Sequence, residues 1–298
     1  MLGIMCVPSL PIELVEKIVR SADRQQLGVL SCVSRTLQAI TEPVLYDLVG
    51  DMGCRRTIHA MRSVLRAKRS YRRQYVRCFS INMSTWRQCH TSQLLRAFFR
   101  LLSDTLQVLP DLDSLHLIGL PPCEAWVLAR CPAQPLAFVT SLPPSPSLSA
   151  WLQGQRRMEI LVLANRYMAH WDRRVEVSSP ALPNLRMICA SSNSLQQLVP
   201  GRPVEHVVLD FTIDNKDANE YGEMKKTFAL SSSPIHTFGI HFRIAPRNHY
   251  ITSDLPMFIS KDTEQLEDVT SLDIQVPTFD FFDALPELTN TVQTFPNL

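Results

Sequence analysis

The sequence predicts an α/β protein in two unequal parts, a short N-terminal group of helices and a long array of strand and helix units around a parallel sheet. Three observations carry this expectation. The first part shows helix-start signals and apolar residues at i, i+4 spacing. From Val76 onward an apolar-x-x-apolar-x-apolar unit recurs, and the stretches between its copies carry helical periodicity. Composition agrees with a folded core: 298 residues, 45% hydrophobic and 19% charged. Only nine residues are glycine, and neither G-x-G-x-x-G nor G-x-x-x-x-G-K-[ST] occurs, which excludes nucleotide binding through those loops.

Pro11 suits a first helical position, Glu13 and Glu16 sit near the positive end of the dipole, and Leu10, Leu14 and Ile18 recur at i, i+4, i+8 up to a stop near Ser21. Asp23 with Gln26 three residues on reads as a capping box, opening a second helix with Leu27 and Leu30 on its apolar side and Gly28 weakening it. A third helix carries Val33, Leu37 and Ile40, and Pro43 is expected to end it or to open the Val44-Leu45-Tyr46 segment. Three such helices bury little among themselves and need another surface to cover them.

These residues resemble the F-box: Leu10-Pro11-x-Glu13-Leu14, Ile18, Leu27-x-x-Leu30-Ser31-x-Val33-Ser34-Arg35 and Pro43-x-Leu45-Tyr46. Leu37 stands where many members carry an aromatic residue. The resemblance implies docking on the Skp adaptor, and through it a cullin, in an SCF ubiquitin ligase, with the remaining domain selecting a protein substrate and no catalysis on this chain. Leu10, Pro11, Leu14, Ile18, Leu27, Leu30 and Val33 are the expected adaptor-facing or helix-packing set.

The recurring unit reads Val76/Phe79/Ile81, Leu112/Leu115/Leu117, Met158/Leu161/Leu163, Leu182/Leu185/Met187, Val204/Val207/Leu209, Ile235/Phe238/Ile240 and Val269/Leu272/Ile274, with a partial copy at Leu136/Val139. Helical segments are expected at 92–109, 147–153, 193–199 and 219–230. Several spacings fall in the range of leucine-rich repeats, about 20–29 residues. The fold expected here is therefore an irregular leucine-rich-repeat-like solenoid with a parallel sheet. The repeat's Asn position is filled by Ser84, Leu120, Arg166, Ala190, Thr212, Arg243 and Pro277, so no amide ladder is expected. Such a domain after an F-box resembles many fungal F-box proteins. The division is 1–49 for the F-box-like helices, 50–75 for a basic helical connector and 76–298 for the repeats. At the C-terminus Phe295 to Leu298 opens a further unit, so the array is expected to be incomplete, or its last unit to fray or pair with a partner.

Strand alternation places substrate selection on outward positions, Ser80, His116, Val162, Arg186, His206, Val208, Asp210, His241 and Asp273. Charge is uneven along the chain. Residues 51–100 hold twelve Lys or Arg against one acid, whereas residues 251–298 hold one Lys against nine acids. Arg62, Arg66, Arg69 and Arg73 are expected on one helical stripe, which makes a nucleic-acid-associated scaffold the alternative function; an unrecognised enzyme is a third. No catalytic motif, metal-ligand spacing or cofactor motif is present, and nucleic acid is the less favoured partner. The eight cysteines, without C-x-x-C, read as buried free thiols. The first ten residues lack the features of a secretory signal and no apolar run is long enough for a bilayer, so an intracellular protein, cytoplasmic or nuclear, is expected without a membrane partner.

Overall fold

The computed structural model describes residues 10–50, 53–86, 92–164, 176–178, 180–212, 226–243 and 268–275. Helices α1 (Ile12–Ser21), α2 (Arg24–Val33) and α3 (Arg35–Asp47) come first. Asp23 accepts from the Gln26 N–H at 2.8 Å, and the Gln26 side chain accepts from the Asp23 N–H at 3.0 Å, which closes the expected capping box. Pro11 sits one position before the expected one, as the N-cap, its carbonyl accepting the N–H groups of Leu14 and Val15. Pro43 does not end α3, which continues to Asp47. A proline here removes one backbone hydrogen bond, and contacts of the last turn, described below, hold the helix past it.

Among the described residues nine strands form one open parallel sheet whose order follows the sequence. They are β1 (Leu48–Gly50), β2 (Cys78–Asn82), β3 (Ser114–Ile118), β4 (Ala137–Thr140), β5 (Ile160–Leu163), β6 (Met187–Ala190), β7 (His206–Thr212), β8 (Thr237–Arg243) and β9 (Ser271–Gln275). One device repeats before them. The carbonyl of Arg77 accepts from both Asp113 and Ser114, that of Asp113 from Leu136 and Ala137, and the series runs on through Leu136, Glu159, Arg186, Glu205 and His236. Each carbonyl thus fixes where the next strand begins.

Registration aligns Val49, Phe79, Leu115, Phe138, Leu161, Ile188, Val207, Phe238 and Leu272 in one row facing the core. All but Leu272 are fully buried, and each large side chain so buried contributes about 1.5–3 kcal/mol. Against this row lie α4 (Cys54–Leu65) with Met61 and Val64, α5 (Ser92–Gln107) with Phe98, Phe99, Leu102 and Leu106, α6 (Pro146–Gln153) with Trp151 and Leu152, and α7 (Ser192–Leu198) with Leu195 and Leu198. The expected helices at 92–109, 147–153 and 193–199 are present to within two residues; of 219–230 only residues 226–230 are described.

The sheet corrects the expected units in three places. β1 joins the sheet at Leu48, so the division at residues 49 and 50 falls inside a strand, and α4 belongs to the same core as Phe79. In the fourth strand Phe138, not Val139, faces inward, because the Leu136 and Ala137 N–H groups both bond Asp113 and start the strand there. The unit read as Leu182/Leu185/Met187 is shifted by three residues: Leu161 pairs with Ile188, and Leu182, at a φ of 57°, turns the chain instead of entering the strand. In place of an amide ladder, Thr140 Oγ1 donates to the Leu117 carbonyl at 3.0 Å and accepts from the Leu142 N–H, while Ser141 Oγ accepts from the Gly119 N–H.

Gly50 ends β1 at a φ of 145°, and a Cβ there would lie 1.8 Å from the Ser80 carbonyl oxygen. Gly50→Ala is therefore expected to cost more than about 3 kcal/mol, read as a lowered denaturation midpoint. An unchanged midpoint would mean that β1 does not seat against β2 as described. The reading of the C-terminal unit at 295–298 lies outside the described residues. Among the described residues no helix is long and apolar enough to cross a membrane.

Candidate protein-docking surfaces

The N-terminal helices turn apolar side chains outward. Val19 and Leu27 are buried where α3 packs on α1 and α2, so Leu27 faces inward and not to the outer face. Leu10, Leu14 (45% exposed), Ile18 and Val33 (64% exposed) are solvent-facing, Pro11 is exposed, and Leu30 is half-buried. Ile12 and Val29, exposed as well, were not in the expected set; Val29 has its signal in the i, i+4 spacing to Val33. A cleft of about 580 Å³ lies between Ile18, Ala22, Val29 and Leu30, with Gln25 and Gln26 as its polar edge. Isolated exposed apolar residues are ordinary, whereas Ile18, Val29 and Leu30 share one cleft, the grouping that makes this face a candidate docking surface.

The outward positions of the sheet form three register rows. Ser80, His116, Val162, Val208 and Asp273 share one, together with Val139, Cys189 and Gly239. His206 lies in the row before it, aligned with Met187 and Thr237, and Asp210 lies in the row after it, paired with His241. Two expected exposures are corrected. Val208 and Asp210 are buried despite pointing outward, and Gly239 brings Val208 close, since a Cβ there would stand 3.1 Å from Val208 Cγ2. Arg186 is exposed but precedes β6, where its carbonyl anchors Glu205 and His206, so it is outside the rows. The middle of the face, with Val139, Ile160, Val162 and Met187, is apolar, and its flanks hold Ser114, His116 and Asp273. Ser114 Oγ and His116 Nε2 are 2.8 Å apart, and burial pushes the His116 imidazole pKa down.

The expected arginine stripe is broken. α4 stops at Leu65, Arg66 is extended, and the chain continues as a 3-10 helix, Ala67–Tyr75, whose three-residue period changes the face that follows. Arg73 folds back to donate to the Val64 and Leu65 carbonyls at 3.1 and 3.2 Å, capping α4. The Arg69 side chain is outside the described residues. Arg72 is 4% exposed and forms an ion pair with Glu42 of α3. Its Nη1 donates to Tyr46 Oη (2.6 Å) and Ser63 Oγ (2.7 Å), and Tyr71 Oη donates to Glu42 Oε2 (2.6 Å). The guanidinium carbon lies 4.7 Å from the Tyr46 ring centroid, a cation–π contact. This cluster fastens the last turn of α3 to α4 and the 3-10 helix.

Of the described cysteines Cys131 and Cys189 are buried, whereas Cys32 and Cys123 are exposed, so the expected burial holds only in part. Burial pushes the Cys131 thiol up to about 11. Among the described residues no group of three or more His, Cys, Asp or Glu side chains is placed to hold a metal.

Residues 7–45 match the family model of the F-box domain. That span runs through α1 and α2 and most of α3, and so includes the outward apolar side chains just described. The N-terminal segment of the chain is thus similar to the F-box domain. No curated protein matches the chain.

Proposed function

We propose that this chain is the substrate-recognition subunit of an SCF-type ubiquitin ligase, docking a Skp-type adaptor, and through it a cullin, with α1 and α2. The observation that carries the reading is the exposed apolar group from Leu10 to Val33 inside a segment that matches the F-box domain. Water is a poor solvent for that group, and a partner that covers it gains about 25 cal/mol per Å² of apolar area. The sheet is, in this reading, a leucine-rich-repeat-like solenoid, supported by strand order that follows the sequence and by the repeated two-donor carbonyl. Its outward rows receive a protein substrate, with Val162 and Met187 as apolar centre and His116 and Asp273 at the flanks. The chain itself carries out no bond chemistry.

Leu14→Asp with Val33→Asp tests the docking step, because both side chains are exposed and contribute little to the fold. Each leucine or valine buried against a partner is worth about 1.5–3 kcal/mol, so the pair should lower capture of the purified Skp adaptor by at least about 100-fold. Undiminished capture by a chain with an unchanged melting temperature would overturn the reading.

A further inference from the structure

Helix α4 carries its charge on one face. Arg55, His59 and Arg62, with Arg66 just past the helix end, recur at i, i+4, i+7 and i+11 and are exposed, and Arg56 lies beside them. No Asp or Glu occurs from Met52 to Ser103, so this face has no acid of its own segment to pair with. A cleft of about 430 Å³ opens beside it. Leu45, Tyr46 and Val49 form its apolar wall, Arg24 and Arg56 its cationic one with the His59 imidazole between them, and among the described residues no carboxylate lines it. Arg24 is held in place through Nη2, which donates to the Leu45 and Leu48 carbonyls, and Tyr46 is held by Ser63 and Arg72.

A volume of this size takes a side chain or a small group. Its lining sets two conditions on an occupant, an apolar part for Leu45, Tyr46 and Val49 and negative charge for the cations around them. A nucleic-acid backbone meets only the second, and the segment's inward-turned donors, Arg72 and Arg73, are spent on Glu42 and on α4. We propose that this cleft and the cationic face of α4 dock an acidic segment of a partner protein, one aromatic side chain entering the cleft while the flanking carboxylates pair with Arg24, Arg56 and Arg62 and His59 offers a ring N–H. The site shares Gln25 with the edge of the α1 and α2 cleft, but its α4 side chains Arg56 and His59 lie outside that cleft, and the proposal does not rest on the adaptor reading.

The test uses the full chain and a fluorescein-labelled synthetic peptide, Asp-Glu-Asp-Phe-Glu-Asp-Glu, followed by fluorescence polarisation. The peptide should bind, and replacing its Phe by Ala should weaken binding at least tenfold. Arg56→Glu with His59→Glu should weaken it at least tenfold too. The milder Arg56→Gln with His59→Gln should weaken it at least threefold in a chain whose melting temperature is unchanged. Equal binding of the Phe and Ala peptides would reduce the site to a diffuse charge effect and overturn the proposal. So would tighter binding of a single-stranded DNA oligomer of the same charge, or unchanged peptide affinity in both double variants. Capture of the Skp adaptor by the same variants should stay at the wild-type level, which separates failure of this site from failure of the docking face.

Discussion

Arg72→Leu is expected to lower the free energy of unfolding by about 3–5 kcal/mol, because it strands the Glu42 carboxylate among buried groups. Glu42→Leu should cost a similar amount for the converse reason. The double variant should recover much of the loss, since a leucine pair of similar volume needs no partners. Chemical denaturation of the four proteins measures the cycle, and additive losses would show that the two side chains are not coupled. The pH dependence follows from the same cluster. Burial pushes the Glu42 carboxyl pKa up, but hydrogen bonds from Tyr71, Gln38 and Arg72, with the Arg72 charge, outweigh it and hold the carboxyl below its ordinary value of 4.5. A carboxyl depressed in the folded state contributes stability that is fully present above the unfolded pKa and is lost as pH falls through the folded one. Melting temperature should therefore fall as pH drops below about 4.5, and Glu42→Gln should flatten that fall.

Arg202→Met is expected to cost about 3 kcal/mol or more. This arginine is 1% exposed and is the largest fully buried side chain among the described residues. It donates to the carbonyls of Ser178, Ala181, Gln197, Leu198 and Pro200 at 2.8 to 3.4 Å, so it satisfies the open C-terminal end of α7 and ties it to the preceding loop. Methionine fills part of the space and donates nothing, which leaves those carbonyls without their donor. Arg202→Lys keeps the charge but not the planar fork, and should recover only part of the loss. Hydrogen exchange should speed up first across 187–202 in both variants. Wild-type protection there in a stable Arg202→Met chain would show that the carbonyls have another donor.

Short-range chemistry was legible in the sequence. The Asp23–Gln26 box needs only residues three apart, and the α5, α6 and α7 periodicities are internal to each helix. Strand register was legible only where a large residue fills each inward position. In β6, Leu182-x-x-Leu185-x-Met187 fits the pattern as well as Leu185-x-x-Ile188-x-Ala190, and only the backbone turn at Leu182 decides between them. In β4, Thr140 faces inward as a hydroxyl that pairs with a backbone carbonyl, so hydrophobicity alone points to the wrong parity. Arg72 and Arg202 carry no local signal of their burial. Sequence marks Lys and Arg as solvated, and nothing local says that Arg72 meets Glu42 thirty residues away or that Arg202 faces only carbonyls. On the helical module the spacing identified Leu10, Leu14 and Ile18, whereas separating inward Leu27 from outward Val29 needed the packing of α2 on α3.

The passage from Asp47 to Leu48 leaves no residue between the end of α3 and the start of β1, and β1 is hydrogen-bonded into the sheet from its first residue. A flexible tether would let two docked bodies sample many separations, and its length would set how often they meet. Here the helix end is welded to the sheet by backbone, and the Glu42–Arg72 pair braces the weld from the side. In the proposed function this joint sets the angle and spacing between a partner on α1 and a partner on the sheet, and lengthening it by a few glycines should loosen that setting while leaving each seat intact.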